Sequence, residues 1–269
     1  MTTATFRNYT GRAADLYQRF FVPTIAAPVS RALLDAVALQ LGERVVDIAC
    51  GSGVLTRAAA ERVGPTGTVV GVDLSPDMID VARDTPAAGA PIEWHTADAE
   101  ALPLPDASCD VVLCQMGLMF MQNPSQALRE ACRILAPGGR LALNTPGAIQ
   151  PRFAELEAAI VDNLDPKLGA FVSTVFSMSD PDQLSTLLVD AGFTDVRTDR
   201  YTVALDFPEP AEFLWNYVNL TPMGVLVTDA PDGAKDAVER QVVESWTPHV
   251  VAGRVRVVQP MVLALGERS

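Results

Sequence analysis

Residues 45–56 read VVDIACGSGVLT, an apolar run that carries one acid, Asp47, and then passes into two glycines around a serine. A strand calls for neither feature. Gly-x-Gly directly after an apolar run marks a sharp turn at which something approaches the main chain closely. Gly51 lets the backbone run close under a ligand, and Gly53 opens the helix that follows. Farther on, Asp73 closes a second apolar run, GTVVGVD, at the position where an acid hydrogen-bonds ribose hydroxyls. A pyrophosphate-binding loop of the G-x-G-x-x-G type wants a third glycine, and this chain has Thr56 there.

Asp47 sharpens the distinction. A carboxylate just under the loop repels a pyrophosphate and suits an ammonium group. The ligand these residues fit has a ribose, no phosphate and a positive charge near Asp47. S-adenosylmethionine has all three.

The elements that must position these residues alternate. RVVDIA, GTVVGVD, PIEWHTADA, CDVVLCQMG and RLALNT read as strands. Between them, GVLTRAAAERV, SPDMIDVAR and NPSQALREACRIL read as helices, the second with Ser75 as its N-cap and Pro76 in its first turn. Near-continuously apolar strands alternating with helices give a parallel sheet covered on both faces, an α/β, Rossmann-like, doubly wound fold. The whole chain, 1–269, is expected as one domain. Its parts are an N-terminal helical cap over 1–40, broken in two at VPTIAAP, and a ligand-binding core over 41–145. Helical insertions above the sheet follow at 146–178 and 207–250. Pro260 places the last strand near the sheet's edge or at a bulge.

Bulk properties narrow the partners. The chain has 269 residues, 49% of them apolar, and a net charge of −13. Its 20 Lys and Arg are scattered, which speaks against nucleic acid and for a small-molecule partner. The four cysteines have no metal-ligand spacing, so no metal is expected, and free thiols fit a reducing compartment. No secretory signal and no membrane span are apparent, so a cytoplasmic monomer or homodimer is expected.

The stretches VVDIACGSG, VVGVDLSPDMIDVAR, TADAEALPLPDASCDVVLCQMGLMF and LREACRILAPGGRLAL, in that order, resemble the consecutive motifs of class I S-adenosylmethionine-dependent methyltransferases. The likeness is to the branch of the ubiquinone/menaquinone-biosynthesis C-methyltransferases, and it runs from about Leu41 to Thr145. The resemblance implies a seven-stranded sheet of order 3-2-1-4-5-7-6 with the last strand antiparallel. It implies that Ala49, Gly51 and Gly53 line the loop under the methionine moiety and that Asp47 helps hold its amino group. Asp73, with Leu74 beside it, would take both ribose hydroxyls, and Met78 would cover the adenine face. Asp98 would accept from the adenine amino group and the Ala99 N–H would donate to a ring nitrogen. Gln115 would stand beside the methyl group.

Methyl transfer from a sulfonium is an in-line displacement, so alignment in a dry cavity matters more than a fixed catalytic set. Base candidates are few. His249 lies in the late insertion, and His95, on the third strand, reads as structural. Tyr9 and Tyr17 would meet the sulfonium with ring or oxygen, or simply pin their helix to the core. Met116, Leu118, Met119, Phe120 and Met121, with Phe213, Trp215, Tyr217 and Met223, suggest an apolar or aromatic acceptor. Two other readings are a non-catalytic S-adenosylmethionine-binding regulatory protein and a nicotinamide-dependent oxidoreductase, the latter opposed by Thr56.

Overall fold

A computed structural model describes residues 11–269 apart from residue 229, so Tyr9 lies outside the described residues. Strand β1 (Arg44–Ile48) pairs in parallel with β2 (Thr68–Asp73) on one side and β4 (Cys109–Gln115) on the other. The strands β3 (Ile92–Thr96), β5 (Leu135–Pro146), β6 (Phe193–Phe207) and β8 (Arg254–Arg268) complete the order β3-β2-β1-β4-β5-β8-β6. Strand β8 runs antiparallel to both its neighbours. The expected topology is therefore present, with one addition, the two-residue β7 (Val250–Val251) folded back on β8.

Pro260 sits in a strand that is central in the sheet, not at its edge. It falls just past Pro146, where β5 stops; its carbonyl accepts the Gly147 N–H at 2.8 Å, and the single return bond that its missing N–H forgoes lies beyond the end of β5.

Alternation along the central strands divides the core between two faces. Val46, Ile48, Val112 and Leu143 pack with Ala127, Leu128 and Ala131 of α5 (Pro124–Ile134) and Leu184 and Leu188 of α8 (Pro181–Asp190). Val45, Val111 and Leu113 pack instead with α2 (Ala27–Val37) and α3 (Val54–Val63). Helix α4 (Pro76–Asp84) opens as the sequence suggests: the Ser75 Oγ accepts the Met78 N–H at 3.3 Å, and Pro76 follows the cap.

The N-terminal segment differs from its expectation. The prolines of VPTIAAP do not split two helices. Helix α1 (Gly11–Leu16) continues through a π-helical stretch, Tyr17–Ala26, into α2. Pro23 lies inside the wide turn and Pro28 in the first turn of α2, where a missing N–H is tolerated. The run Ala13–Val37 is long and apolar enough to cross a membrane by length and composition. Here its Val29, Leu33, Leu34 and Val37 are buried in the protein.

The two late segments form a second core. Helices α6 (Pro151–Asn163), α7 (Pro166–Val175), α9 (Pro210–Asn219), α10 (Met223–Val227) and α11 (Asp232–Trp246) gather around Phe153, Phe207, Phe213 and Trp246. Phe207 stacks on Phe213 with centroids 4.1 Å apart. The far ends of β6 and β8 supply Leu205, Phe207, Val255 and Val257 to this cluster, which fixes it to the sheet.

Trp94 on β3 lies across the start of the glycine loop. A Cβ on Gly53 would come within 2.3 Å of its ring, and one on Gly71 within 2.5 Å. Gly71→Ala is expected to destabilise the fold by about 1–3 kcal/mol through overpacking. In a Trp94→Ala background the same change is expected to cost less. Denaturant midpoints of the four proteins in this cycle check it; equal costs in both backgrounds would remove the ring from the explanation.

Candidate active site

The register of β1 against β2 places Ile48 beside Val72, so both strands end together and the loop after β1 meets Asp73. One Asp73 oxygen accepts the Gly51 N–H at 2.7 Å and the other the Ser75 N–H at 2.9 Å. A carboxylate has about four acceptor positions, so two remain for a pair of hydroxyls. Gly51 holds φ +55° and Ala49, without the freedom of glycine, holds φ +54°. Burial pushes the Asp73 carboxyl above its ordinary range, against the opposing effect of its backbone N–H donors.

Asp47 lies deeper. It is 1% exposed and accepts the Thr56 hydroxyl at 2.6 Å through one oxygen. Its other oxygen has no hydrogen-bond partner among the described residues. Burial, which outweighs the Thr56 hydrogen bond, raises its pKa to about 7, and Asp73 adds to the rise. Thr56, the residue that broke the dinucleotide pattern, is thus the partner of this acid.

A cavity opens at the carboxyl ends of the parallel strands, about 1320 Å³ counting its open mouth. Tyr17, Ala49, Gly51, Asp73, Leu74, Met78, Asp98, Ala99 and Gln115 all line it, so nine of the expected site residues come together. Asp98 accepts the Glu100 N–H at 3.0 Å, which shapes the turn after β3. Tyr17, stacked on Phe21 at 4.6 Å, places its hydroxyl 3.5 Å from where a Gly51 side chain would start. The Gln115 amide donates to the Ala26 carbonyl at 3.0 Å, and its oxygen has no partner among the described residues.

Three expected residues are not among those lining the cavity. Asp47 lies beneath the loop, Gly53 lies under Trp94, and His249 is exposed in the turn Thr247–His249. His95 pairs with Glu93 at 3.0 Å and does not line the cavity either. The apolar wall is also partly redrawn. Met116, Met119, Phe120, Met121 and Tyr217 line it, whereas Leu118, Phe213 and Met223 are fully buried in the cores. Trp215 turns to Glu239, donating its indole N–H at 2.6 Å.

Other residues of the site escaped the sequence reading. Phe21, Phe171, Val175, Leu220 and Thr221 complete the wall. Asn144, fully buried at the end of β5, accepts the Met116 N–H at 3.2 Å and donates to the Tyr201 hydroxyl at 3.0 Å. It thereby braces Met116 at φ +48°, the turn that carries the chain from Gln115 into the wall. An amide at the carboxyl end of a parallel strand was the signal that marks it.

Comparison with known proteins follows this geometry. Residues 46–143 match the family described as methyltransferase domain. The ubiquinone/menaquinone biosynthesis C-methyltransferase UbiE of Ectopseudomonas mendocina is 34% identical over 181 residues, 62% of this chain and 71% of that protein. The chain belongs to the S-adenosylmethionine-dependent methyltransferases. The fold is shared with phosphoethanolamine N-methyltransferase 2 of Haemonchus contortus, solved with phosphomonomethylethanolamine and S-adenosylhomocysteine. The TM-score there is 0.60 at 17% identity, over 100% of this chain and 61% of that one. It is also shared with the [4+2]-cyclase SpnF, at a TM-score of 0.55 and 17% identity over 96% and 95% of the two chains.

The residues present fit this methyltransferase's cofactor: a clamped carboxylate with two acceptor positions to spare, a left-handed glycine beneath the cavity, and an orphaned acid below it. A carboxyl held near 7 keeps a proton that the unfolded chain loses at about 3.8, so stability falls as pH rises through that interval and levels off above it. Between pH 4 and pH 7 Asp47→Asn is therefore expected to lose less melting temperature, or gain more, than the parent protein. Parallel slopes in the two proteins would show that Asp47 is ionised throughout.

Proposed function

We propose that this methyltransferase acts on an apolar, uncharged ring acceptor, and that a carbon of a reduced quinone-type ring is the acceptor position its UbiE relatives suggest. The observation that carries this reading is the wall beyond Gln115. Met116, Met119, Phe120, Met121, Phe171 and Val175 supply an oily chamber, and among the described lining residues there is no Lys, Arg or His. The three acids that line the cavity, Asp73, Asp98 and Glu100, belong to the turns after β2 and β3. A phosphate-bearing acceptor would find no cation here and three carboxylates nearby.

The division of labour follows from the geometry. S-adenosylmethionine, when bound, supplies a methyl group on an electrophilic sulfonium. Asp73 holds the ribose through its two spare acceptor positions, Met78 and Leu74 cover the base, and Asp98 with the Ala99 N–H reads its edge. Asp47 and the loop at Gly51 fix the methionine end, with Tyr17 laid over it. Gln115, its amide anchored on the Ala26 carbonyl, presents its oxygen at the junction of the two halves. The apolar wall excludes water from the line of transfer. Among the described residues no imidazole or amine lines the chamber, which favours an acceptor that is nucleophilic in its own right.

Methyl transfer from labelled S-adenosylmethionine to a panel of substituted hydroquinones and to phosphoethanolamine tests the reading. Transfer to the rings is expected, and transfer to phosphoethanolamine alone would overturn it. Asp73→Ala is expected to weaken S-adenosylhomocysteine binding by about 100-fold, the loss of two hydrogen bonds to a charged group. Gln115→Ala is expected to slow turnover at least about tenfold while leaving the S-adenosylhomocysteine dissociation constant within about twofold. Calorimetry and initial rates separate the two effects.

A further inference from the structure

The wall of the cavity beyond Gln115 is mostly apolar, with Gln122 after Met121 and two hydroxyls where α9 ends as its polar residues. Tyr217 in its last turn and Thr221, four residues on, both line the cavity and are 4% and 5% exposed. Neighbouring rings fix the Tyr217 ring: Phe213 stacks on it at 5.5 Å and 14°, and Phe153 lies 5.8 Å away. Its hydroxyl has no hydrogen-bond partner among the described residues, and burial alone raises its pKa far above the ordinary value. Thr221 is different. Its hydroxyl donates to the Val218 carbonyl at 2.9 Å, so its proton is committed and its lone pairs are what it has left to offer.

We propose that Tyr217 and Thr221 form the polar subsite of the acceptor chamber and bind a hydroxyl group carried by the ring acceptor. The Tyr217 O–H donates to the oxygen of that hydroxyl, and the Thr221 Oγ1 accepts its proton. A ring carbonyl satisfies only Tyr217 and leaves Thr221 without a donor, so the pair selects a hydroxylated ring over its oxidised, carbonyl form. Both residues lie outside the stretch 46–143 that matches the family, so this selectivity is a property of the late insertion. The assignment rests on the reading that the chamber takes an apolar ring.

Binding to the S-adenosylhomocysteine-saturated protein, followed by tryptophan quenching or calorimetry, tests it with three probes: 1-naphthol, naphthalene and 1-tetralone. The wild-type protein is expected to bind 1-naphthol about tenfold more tightly than naphthalene, the worth of one to two net hydrogen bonds. Tyr217→Phe is expected to weaken 1-naphthol and 1-tetralone by about fivefold each. Thr221→Val is expected to weaken 1-naphthol alone, and Thr221→Ser to restore it. Naphthalene and S-adenosylhomocysteine affinities are expected to stay unchanged in every variant, a readout that a packing defect would move. If Tyr217→Phe does not fold, the Thr221 pair of variants decides. An unchanged ratio of 1-naphthol to naphthalene in the variants overturns the subsite alone. Failure of the wild-type protein to bind any of the three overturns the ring-acceptor reading and the subsite with it.

Discussion

The hydrogen bond from the Gly51 amide to Asp73, 2.7 Å long, joins the end of one strand to the loop after the next, and much of the site is arranged around it. It exists because β1 and β2 pair in parallel with Ile48 level with Val72, so that the loop past one strand meets the last residue of the other. Once the carboxylate is spent on the loop, the loop holds a left-handed turn at Ala49 and at Gly51. Asp47 is then caught beneath it, in a place too dry for a charge. Burial raises the pKa of both acids under the loop, and Asp73 adds to the rise at Asp47. A cationic amino-acid tail is the kind of ligand that relieves that arrangement; a phosphate would aggravate it.

The opposite wall is made by a similar device. Met116 takes a left-handed turn at the end of β4, and Gly117 follows because a Cβ there would meet the Ala49 Cβ at 2.6 Å. The turns after β1 and β4 are therefore packed against each other and cannot be displaced independently. Asn144 completes the support from β5, since its side chain can satisfy the Met116 N–H and the Tyr201 hydroxyl only if both stand where they do. A buried amide with both ends engaged specifies geometry in a way that an apolar residue of equal volume does not.

What the sequence disclosed was local in origin. Strand-end acids, the Ser75–Pro76 helix start and the glycine turns each follow from the chemistry of a few adjacent residues, and they lie where that chemistry puts them. The failures share a different cause. An apolar residue at helical spacing announces that it will be buried but not against what, and so Phe213 and Met223 went to the cap core while Tyr217 and Thr221 reached the cavity. Gly53 was legible as a turn residue; that its neighbour would be the ring of Trp94 depended on the β2–β3 pairing. The prolines at 23 and 28 break an α-helix by local rules, yet a wide turn accommodates the first and the opening turn of α2 the second.

The same fold supports a [4+2]-cyclase as well as methyltransferases, so the sheet and its loops do not by themselves decide the reaction. The decision rests with what the second core presents to the first. Met116 and Phe120 are the side chains that pack against both cores, and Phe120 stacks on Phe171 of the insertion at 5.9 Å. They stand at the seam, next to Gln115, between the loop side of the cavity and its apolar wall. A change in the cap therefore reaches the turn after β4 through stacked rings, and through Gly117 it reaches the glycine loop packed against that turn.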